Sequence, residues 1–557
     1  MVVRSLLVLL LSAAGTLAGF AYGRSQWSDI WPELSRLNLT WTVGVGWLTG
    51  TATGVCAARA MARWRGRGPG RKVWWRRIAE GSIVVMALAP GAIWIMAVTP
   101  AGLMREAGPV TRLLGERRPN IVLIGIDALR PDHLGAYGSR AGLTPNLDEF
   151  AREATRYEAA YAASSWTLPS FGALLALRSP SESVVMFTEG EDGERYFDRA
   201  AVFADAPLLA ERLSSEGYRT AAELTNPFLA GTKGWERGID FFRNEDGSDT
   251  DALLTMRTTR AEIVTGNACD WLRLNRYQPF FLWMHYLDPH APYGSPETPE
   301  ELRRAYPGEW ETARRDWYEE MQDAPAEVRA RYQQFCREMY AEEVRYADRC
   351  VGKVLTELKR RGIYDNSIVV ILSDHGEELF DRGGFEHGHS MHEEVLRVPL
   401  LVKWPKGVEA DAVVGQTVAL GSVTATVLEL AGCPPMDGTR VTPLPRWDGG
   451  PGAEVFSEGT LHGVEQTALT TDEYKVIYRP GADEGGGAFE VYDRRRDRGE
   501  RHDLAGTGAA SELRARLRAL TEEAQATRAR RGESQVPRIE MTEEERRRLK
   551  SLGYLSD

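Results

Sequence analysis

From residue 120 onward, short apolar runs alternate with amphipathic stretches. NIVLIGID (120–127), PFFLWMHYL (279–287) and NSIVVILSD (366–374) are unbroken apolar runs of strand length, the pattern of strands buried on both faces. PNLDEFAREATRY (145–157) reads as a helix. APLLAERLSSEG (206–217) reads as another, ended by Gly217 and followed by the strand-like YRTAAEL. The long charged stretch 327–361 predicts a further helix. Strands alternating with helices predict an α/β domain built on a large, mainly parallel central sheet. After residue 450 the pattern changes to short strands (QTALTTDEYKVIYR, then AFEVYD), a Gly-rich turn at 485–487 and an Arg/Glu-rich helical tail. That predicts a smaller C-terminal α+β subdomain.

The first hundred residues follow a different pattern. Segment 5–22 is free of charge and long enough to cross a bilayer, 41–58 is apolar but rich in Gly and Thr, and 81–104 is strongly apolar with Pro90 as a kink. Arg59, Arg63, Arg65, Arg67, Arg71, Lys72, Arg76 and Arg77 lie between the last two, almost without acids. The positive-inside rule keeps that loop in the cytoplasm, so the third span carries residues 105–557 to the other side. The expected arrangement is a multi-pass protein of a bacterial inner membrane with its catalytic domain outside the cytoplasm. Two alternatives stay open: residues 1–22 as a cleaved signal peptide, and 41–58 as no span at all. The expected organisation is a transmembrane region at 1–104, a catalytic α/β domain at 118–445, and a C-terminal α+β subdomain with helical tail at 446–557.

Charge and cysteine content narrow the function classes. Of the 557 residues, 68 are Lys or Arg and 79 are Asp or Glu, a net charge of −11, which argues against a nucleic-acid partner bound through a globally basic surface. Five cysteines in such a chain are no disulfide scaffold. Cys336 and Cys350 fall on one predicted helix, about 21 Å apart along its axis, too far for a bridge.

Polar chemistry collects where the apolar runs end. The first ends at Asp127, the second leads into His285, Asp288 and His290, and the third ends in Ser373, Asp374 and His375. Ligands of open parallel sheets bind outside the carboxyl ends of the strands, and Asp and His are oxygen and nitrogen ligands for a divalent cation. A single Asp at a strand end is an ordinary cap or turn residue; three such clusters point to a site. In SSWTLPSFGALLALR (164–178), Thr167 precedes Pro169 and an apolar helical run. This puts Thr167 at a helix N-terminus, where backbone N–H groups attract an anion and a metal-bound hydroxyl would be a nucleophile; the plainer alternative is a simple N-cap. FEHGHSMHEE (385–394) adds His387, His389 and His392, so six of the nine histidines lie within 285–290 and 375–392. These are potential metal ligands, general acids or oxygen contacts, with an exposed loop as the alternative for His392.

Together these segments resemble the sulfatase family of the alkaline-phosphatase superfamily, from about residue 118 to the C-terminus. The likeness is carried by NIVLIGIDALRPDHLGAYG, LAERLSSEGYRTAAELTNPFL, PFFLWMHYLDPHAPY, SIVVILSDHGEEL, HEEVLRVPLLVKWP, EVYDRRRDRGERHDLAG and RLKSLGYL. The resemblance implies an α/β sandwich with a large central sheet and a small C-terminal sheet. It implies one divalent metal ion (Mn, Mg, Zn or Ca) at Asp127, Asp374 and His375 with the oxygen of Thr167. It also implies Thr167 as nucleophile, His290 as a substrate contact, and His387 or His389 at a further catalytic position. Its expected partner is an anionic ester, such as an envelope glycan or lipid.

The chain departs from the family pattern at three places. The C/S-x-P-S-R motif that matures to formylglycine reads Thr167-Leu168-Pro169-Ser170-Phe171, and Thr cannot become the aldehyde. Ala128 stands where a second metal-binding Asp is common, and Asp374-His375 replaces Asp-Asn. Thr with Asp-His is similar to the phosphorus-processing branch, such as lipoteichoic acid synthases and phosphoethanolamine transferases. Three readings follow: a hydrolase or transferase of phosphate or sulfate esters outside the cytoplasm, a sulfatase proper, and a pseudo-enzyme that binds anionic glycans without turnover.

Overall fold

The computed structural model describes residues 118–532, apart from 184–187, 190–194, 197–205, 227–228, 230–233, 245–260, 295–297, 307–319, 437–440, 447 and 481–486. The expected membrane spans and residues 533–557 of the helical tail lie outside the described residues. Among the described residues no helix is long and apolar enough to cross a membrane.

All three apolar runs form strands, Asn120–Ile126, Phe280–Tyr286 and Ser367–Leu372, each buried along its whole length. The Asn120–Ile126 strand is central and runs parallel to both others, with Gly125 opposite His285 on one side and Leu372 on the other. This register brings the carboxyl ends of the three strands to one edge. Arg219–Leu224 and Phe241–Asn244 extend the parallel part beyond Phe280–Tyr286.

On the other flank the sheet is mixed. Leu400–Lys403 pairs antiparallel with Ser367–Leu372 and with Thr155–Tyr161, and Val413–Ala419 returns parallel to the latter. The strand Thr155–Tyr161 corrects the reading of 145–157 as one helix, which stops at Ala151. In TRYEAAY, buried Thr155 and Tyr157 alternate with half-buried Arg156 and Glu158; a period of two and β-favouring residues outweigh the helical look of the preceding residues.

Alternate residues of the central strand enter separate cores. Ile121 and Leu123 pack on one face with the helices Thr167–Ala176, Leu209–Ser215 and Gly421–Ala431. Val122, Ile124 and Ile126 pack on the other with Pro145–Ala151, Ala261–Asn275 and Ala326–Arg360. The last is the predicted long helix. Lys359 and Arg360 in its final turn suit the helix dipole, and Gly362, at φ +66°, turns the chain out of it. Cys336 and Cys350 are buried on this helix as free thiols.

The C-terminal residues form a four-stranded antiparallel sheet in the order Val455–Glu458, Thr467–Thr470, Tyr474–Arg479, Ala488–Asp493. The helix Ser511–Gly532 covers it through Leu517 and half-buried neighbours.

Candidate active site

Asp127 follows directly on the central strand, where its backbone N–H donates to Tyr286 O at 2.9 Å. Asp374 and His375 follow the Ser367–Leu372 strand after Ser373. The Ser373 hydroxyl ties the two strand ends together, donating to Ile126 O at 2.6 Å and accepting from Leu129 N–H at 2.9 Å. Ala128, between them, takes a left-handed φ of +57°, and its carbonyl accepts from Tyr340 OH at 2.8 Å.

Thr167 is the first residue of a wholly buried helix, with extended Trp166 as the N-cap, one residue earlier than the expected cap at Thr167. Its Oγ1 lies 3.2 Å from His375 Nε2 and 3.4 Å from Asp127 Oδ2. Ser170, one turn on, donates to the carbonyl of Asp374 at 2.5 Å, clamping this helix against the strand end.

Two further side chains complete the centre. Asn226, two residues past the Arg219–Leu224 strand, donates through Nδ2 to Asp127 Oδ2 at 2.8 Å and reaches Thr167 Oγ1 at 3.4 Å. His285, on the strand beside Asp127, puts Nε2 3.7 Å from Asp127 Oδ2. Ligand atoms of Asp127, His285 and Asp374 all lie within 4.8 Å of one another. The sequence placed His285 in a polar cluster without assigning it to the metal. Asn226 carried no signal beyond following a parallel strand.

The histidines divide. His375, His387 and His290 form a contiguous group, with ring centroids 4.2 Å apart for His375–His387 and 4.7 Å for His290–His387. His387 Nδ1 is 2.9 Å from Glu377 Oε1. His389 is paired instead with Glu378, at 2.8 Å. His392 is paired with Glu500, at 2.9 Å, and is buried rather than on an exposed loop.

The electrostatics are those of a site built for a cation. Burial raises the Asp374 carboxyl, and the neighbouring Asp127 charge raises it further. Burial opposes ionisation of Asp127 too, but His290, His375 and His285 hold it below the usual carboxylate range. Burial would lower His375, yet Asp374 and Asp127 push it up to about 9. Burial lowers His285 to about 4 and also lowers His290 and His387. Both Asp374 carboxylate oxygens and both His285 ring nitrogens are buried with no hydrogen-bond partner among the described residues. Buried carboxylates this close repel, and a divalent ion would relieve the repulsion and satisfy the orphaned atoms. The residues present therefore fit a hard or borderline divalent ion.

Comparison with known proteins adds the family. The sulfatase family model matches residues 119–433, and that of the N-sulphoglucosamine sulphohydrolase C-terminal region matches residues 381–527. An N-acetylglucosamine-6-O-sulfatase of Bacteroides thetaiotaomicron is 23% identical over 500 residues, spanning 73% of this chain and 86% of that protein. A solved structure in complex with its substrate D-glucosamine-2-N,6-O-disulfate shares the fold at TM-score 0.54 and 20% identity, over 74% of this chain and 98% of that one. The phosphonate monoester hydrolase of Agrobacterium radiobacter does so at TM-score 0.55 and 17% identity, over 74% of this chain and 96% of that one. With more than half of its length matched by the family model, the chain belongs to the sulfatase family and is a sulfatase-family hydrolase.

Proposed function

We propose that this sulfatase-family chain is a metal-assisted hydrolase of sulfate or phosphorus esters, with Thr167 as its nucleophile. The observation that carries the reading is the place of Thr167 Oγ1, 3.2 Å from His375 Nε2 and 3.4 Å from Asp127 Oδ2, on the first turn of a buried helix. The free N–H groups and dipole of that turn favour a bound oxyanion. Asp127, Asp374, His375 and the Thr167 oxygen would hold one divalent ion, with His285 within reach; when bound, it would draw charge from the ester oxygens and acidify the hydroxyl. The Thr167 hydroxyl already donates to Asp127 Oδ2, the first acceptor for its proton. Asn226 steadies both groups. The Thr167 oxygen attacks sulfur or phosphorus in line as the bond to the leaving oxygen breaks. The proton that Thr167 gives up passes from Asp127 to His375, 3.2 Å away, and on through His387 or His290 beside it to that oxygen. Water then releases the ester formed on Thr167.

The names of the relatives support a sulfate ester, and a sulfated amino sugar or other anionic glycan suits the glucosamine-sulfate enzymes that the chain resembles. A phosphorus ester is the second reading. Thr167 favours it, because a Thr hydroxyl cannot mature to an aldehyde and lacks the hydrate route by which a sulfated nucleophile is shed. The fold likeness to a phosphonate monoester hydrolase supports the same reading. The basic 59–77 loop between two apolar segments supports a membrane-anchored protein with this site outside the cytoplasm.

Matched aryl sulfate, aryl phosphate and aryl phosphonate monoesters, assayed with the metal-loaded chain, test the reading. Thr167→Ala should lose about 10³-fold or more and Thr167→Ser should keep part of the rate. Thr167→Cys should remain a thiol, because Phe171 breaks the maturation motif. Hydrolysis that survives Thr167→Ala removes Thr167 as nucleophile. Tight binding of a sulfated saccharide without turnover would leave a glycan-binding pseudo-enzyme.

A further inference from the structure

We propose that Glu377 is a positioning residue that acts on the reaction only through His387, an inference that rests on the site reading above. Glu377 is wholly buried, one residue past Gly376 in the segment that also supplies Asp374 and His375. Both of its carboxylate oxygens are engaged: Oε1 is 2.9 Å from His387 Nδ1, and Oε2 accepts from Tyr293 OH at 3.0 Å. Its backbone is held as firmly, the N–H donating to Glu394 O at 2.9 Å and the carbonyl accepting from Arg130 Nη1 at 3.0 Å. Apart from His387, three contacts fix this residue, one on its side chain and two on its backbone, so the ring must follow it.

The backbone next to His387 is pinned as well. Gly388, at φ +78°, donates its N–H to Ser165 O at 3.0 Å, two residues before Thr167. A Cβ at this glycine would stand 2.8 Å from Leu461 Cβ, so the turn that presents His387 needs glycine on two counts. Between these anchors the ring lies against His375 and His290. A carboxylate on Nδ1 of a histidine fixes both the ring plane and the nitrogen that carries the proton, which decides whether the far edge can give a proton to a leaving oxygen. Glu378, one residue on, holds His389 by the opposite ring nitrogen, Nε2, outside the His375–His387–His290 group. Adjacent acids thus sort two histidines of one short loop into different surroundings.

The test uses the full metal-loaded chain, an aryl ester with a good leaving group (p-nitrophenol) and its analogue with a poor one (phenol). Glu377→Gln should lower kcat by about 10–100-fold with KM nearly unchanged, more for the phenyl ester than for the nitrophenyl ester. In a His387→Ala background, Glu377→Gln should change nothing further. Losses that multiply in the double variant, or that are equal for both leaving groups, overturn the proposal. Should Glu377→Gln fail to fold, Tyr293→Phe removes only the bond to Oε2 and should show the same leaving-group dependence; no change in kcat overturns the proposal. Ring-¹⁵N shifts of the histidines give a readout without turnover. His387 should sit in one locked tautomer that is lost in Glu377→Gln, while His389 stays put. If no ester is hydrolysed, the functional reading fails alone, and unchanged His387 shifts would still overturn the role of Glu377.

Discussion

The ring of Phe171 fills the space that a side chain on Gly125 would need: a Cβ on Gly125 would stand 2.7 Å from Phe171 Cζ. The same ring meets His285 edge-on, with centroids 5.0 Å apart, and Trp283 at 5.5 Å. The residue that departs from the formylglycine motif is therefore an apolar wedge between the central strand and the imidazole beside Asp127. Gly125→Ala should overpack this contact, costing roughly 1–3 kcal/mol, and Phe171→Leu should recover part of the loss. Denaturant midpoints of the two single variants and the double variant check it. Additive losses would mean that the two residues are not in contact.

Asp374 should be needed for metal binding and should be a burden without it. Its carboxyl is buried beside Asp127 with neither oxygen hydrogen-bonded. Asp374→Asn should therefore remove the metal, as measured by elemental analysis, while retaining the fold. In chelator the variant should melt no lower than the native chain, because a like charge has been removed. Full metal occupancy in the variant would refute the assignment.

Glu500 joins the C-terminal sheet to the histidine loop. Its carboxylate is 2.9 Å from His392 Nδ1, 2.8 Å from Lys475 Nζ and 3.3 Å from Arg382 Nη2, and it accepts from Glu393 N–H at 3.0 Å. Burial opposes its ionisation, but Lys475 and His392 hold its carboxyl down to about 2, below the 4.5 of a free Glu. A depressed carboxyl stabilises the fold fully above its unfolded value and loses that contribution as pH falls through its folded value. Stability should therefore drop between pH 4.5 and about 2. Glu500→Gln should cost roughly 3 kcal/mol at pH 7, by leaving buried Lys475 with only the longer pair to Glu393, at 3.7 Å, and should flatten that slope. Melting curves at pH 7 and across the acid range measure both, and an unchanged slope would remove Glu500 as the titrating group.

The topology can be tested independently of the site. A reporter enzyme that works only outside the cytoplasm, fused after residue 110, should be active. Activity of a cytoplasm-only reporter at the same junction would overturn the placement of the catalytic domain.

Much of this protein was legible in its residues. The three unbroken apolar runs of strand length read as strands covered on both faces, and parallel neighbours in register end on one edge. Asp127, Asp374 and His375 therefore had to meet, and Thr167 had to open the helix beside them. Other features depended on partners far away in sequence. The strand Thr155–Tyr161 is fixed by its pairing with Leu400–Lys403 and Val413–Ala419, which local pattern does not show. Asn226 reaches Asp127 across 99 positions of the chain. His387, His389 and His392 looked alike in one short loop; Glu377, Glu378 and Glu500 sent them to separate surroundings. Burial patterns are local and repeat along the chain, so sequence determines them. The direction of a polar side chain is set by whichever charge or carbonyl the fold brings within 3 Å, and only the tertiary structure decides that.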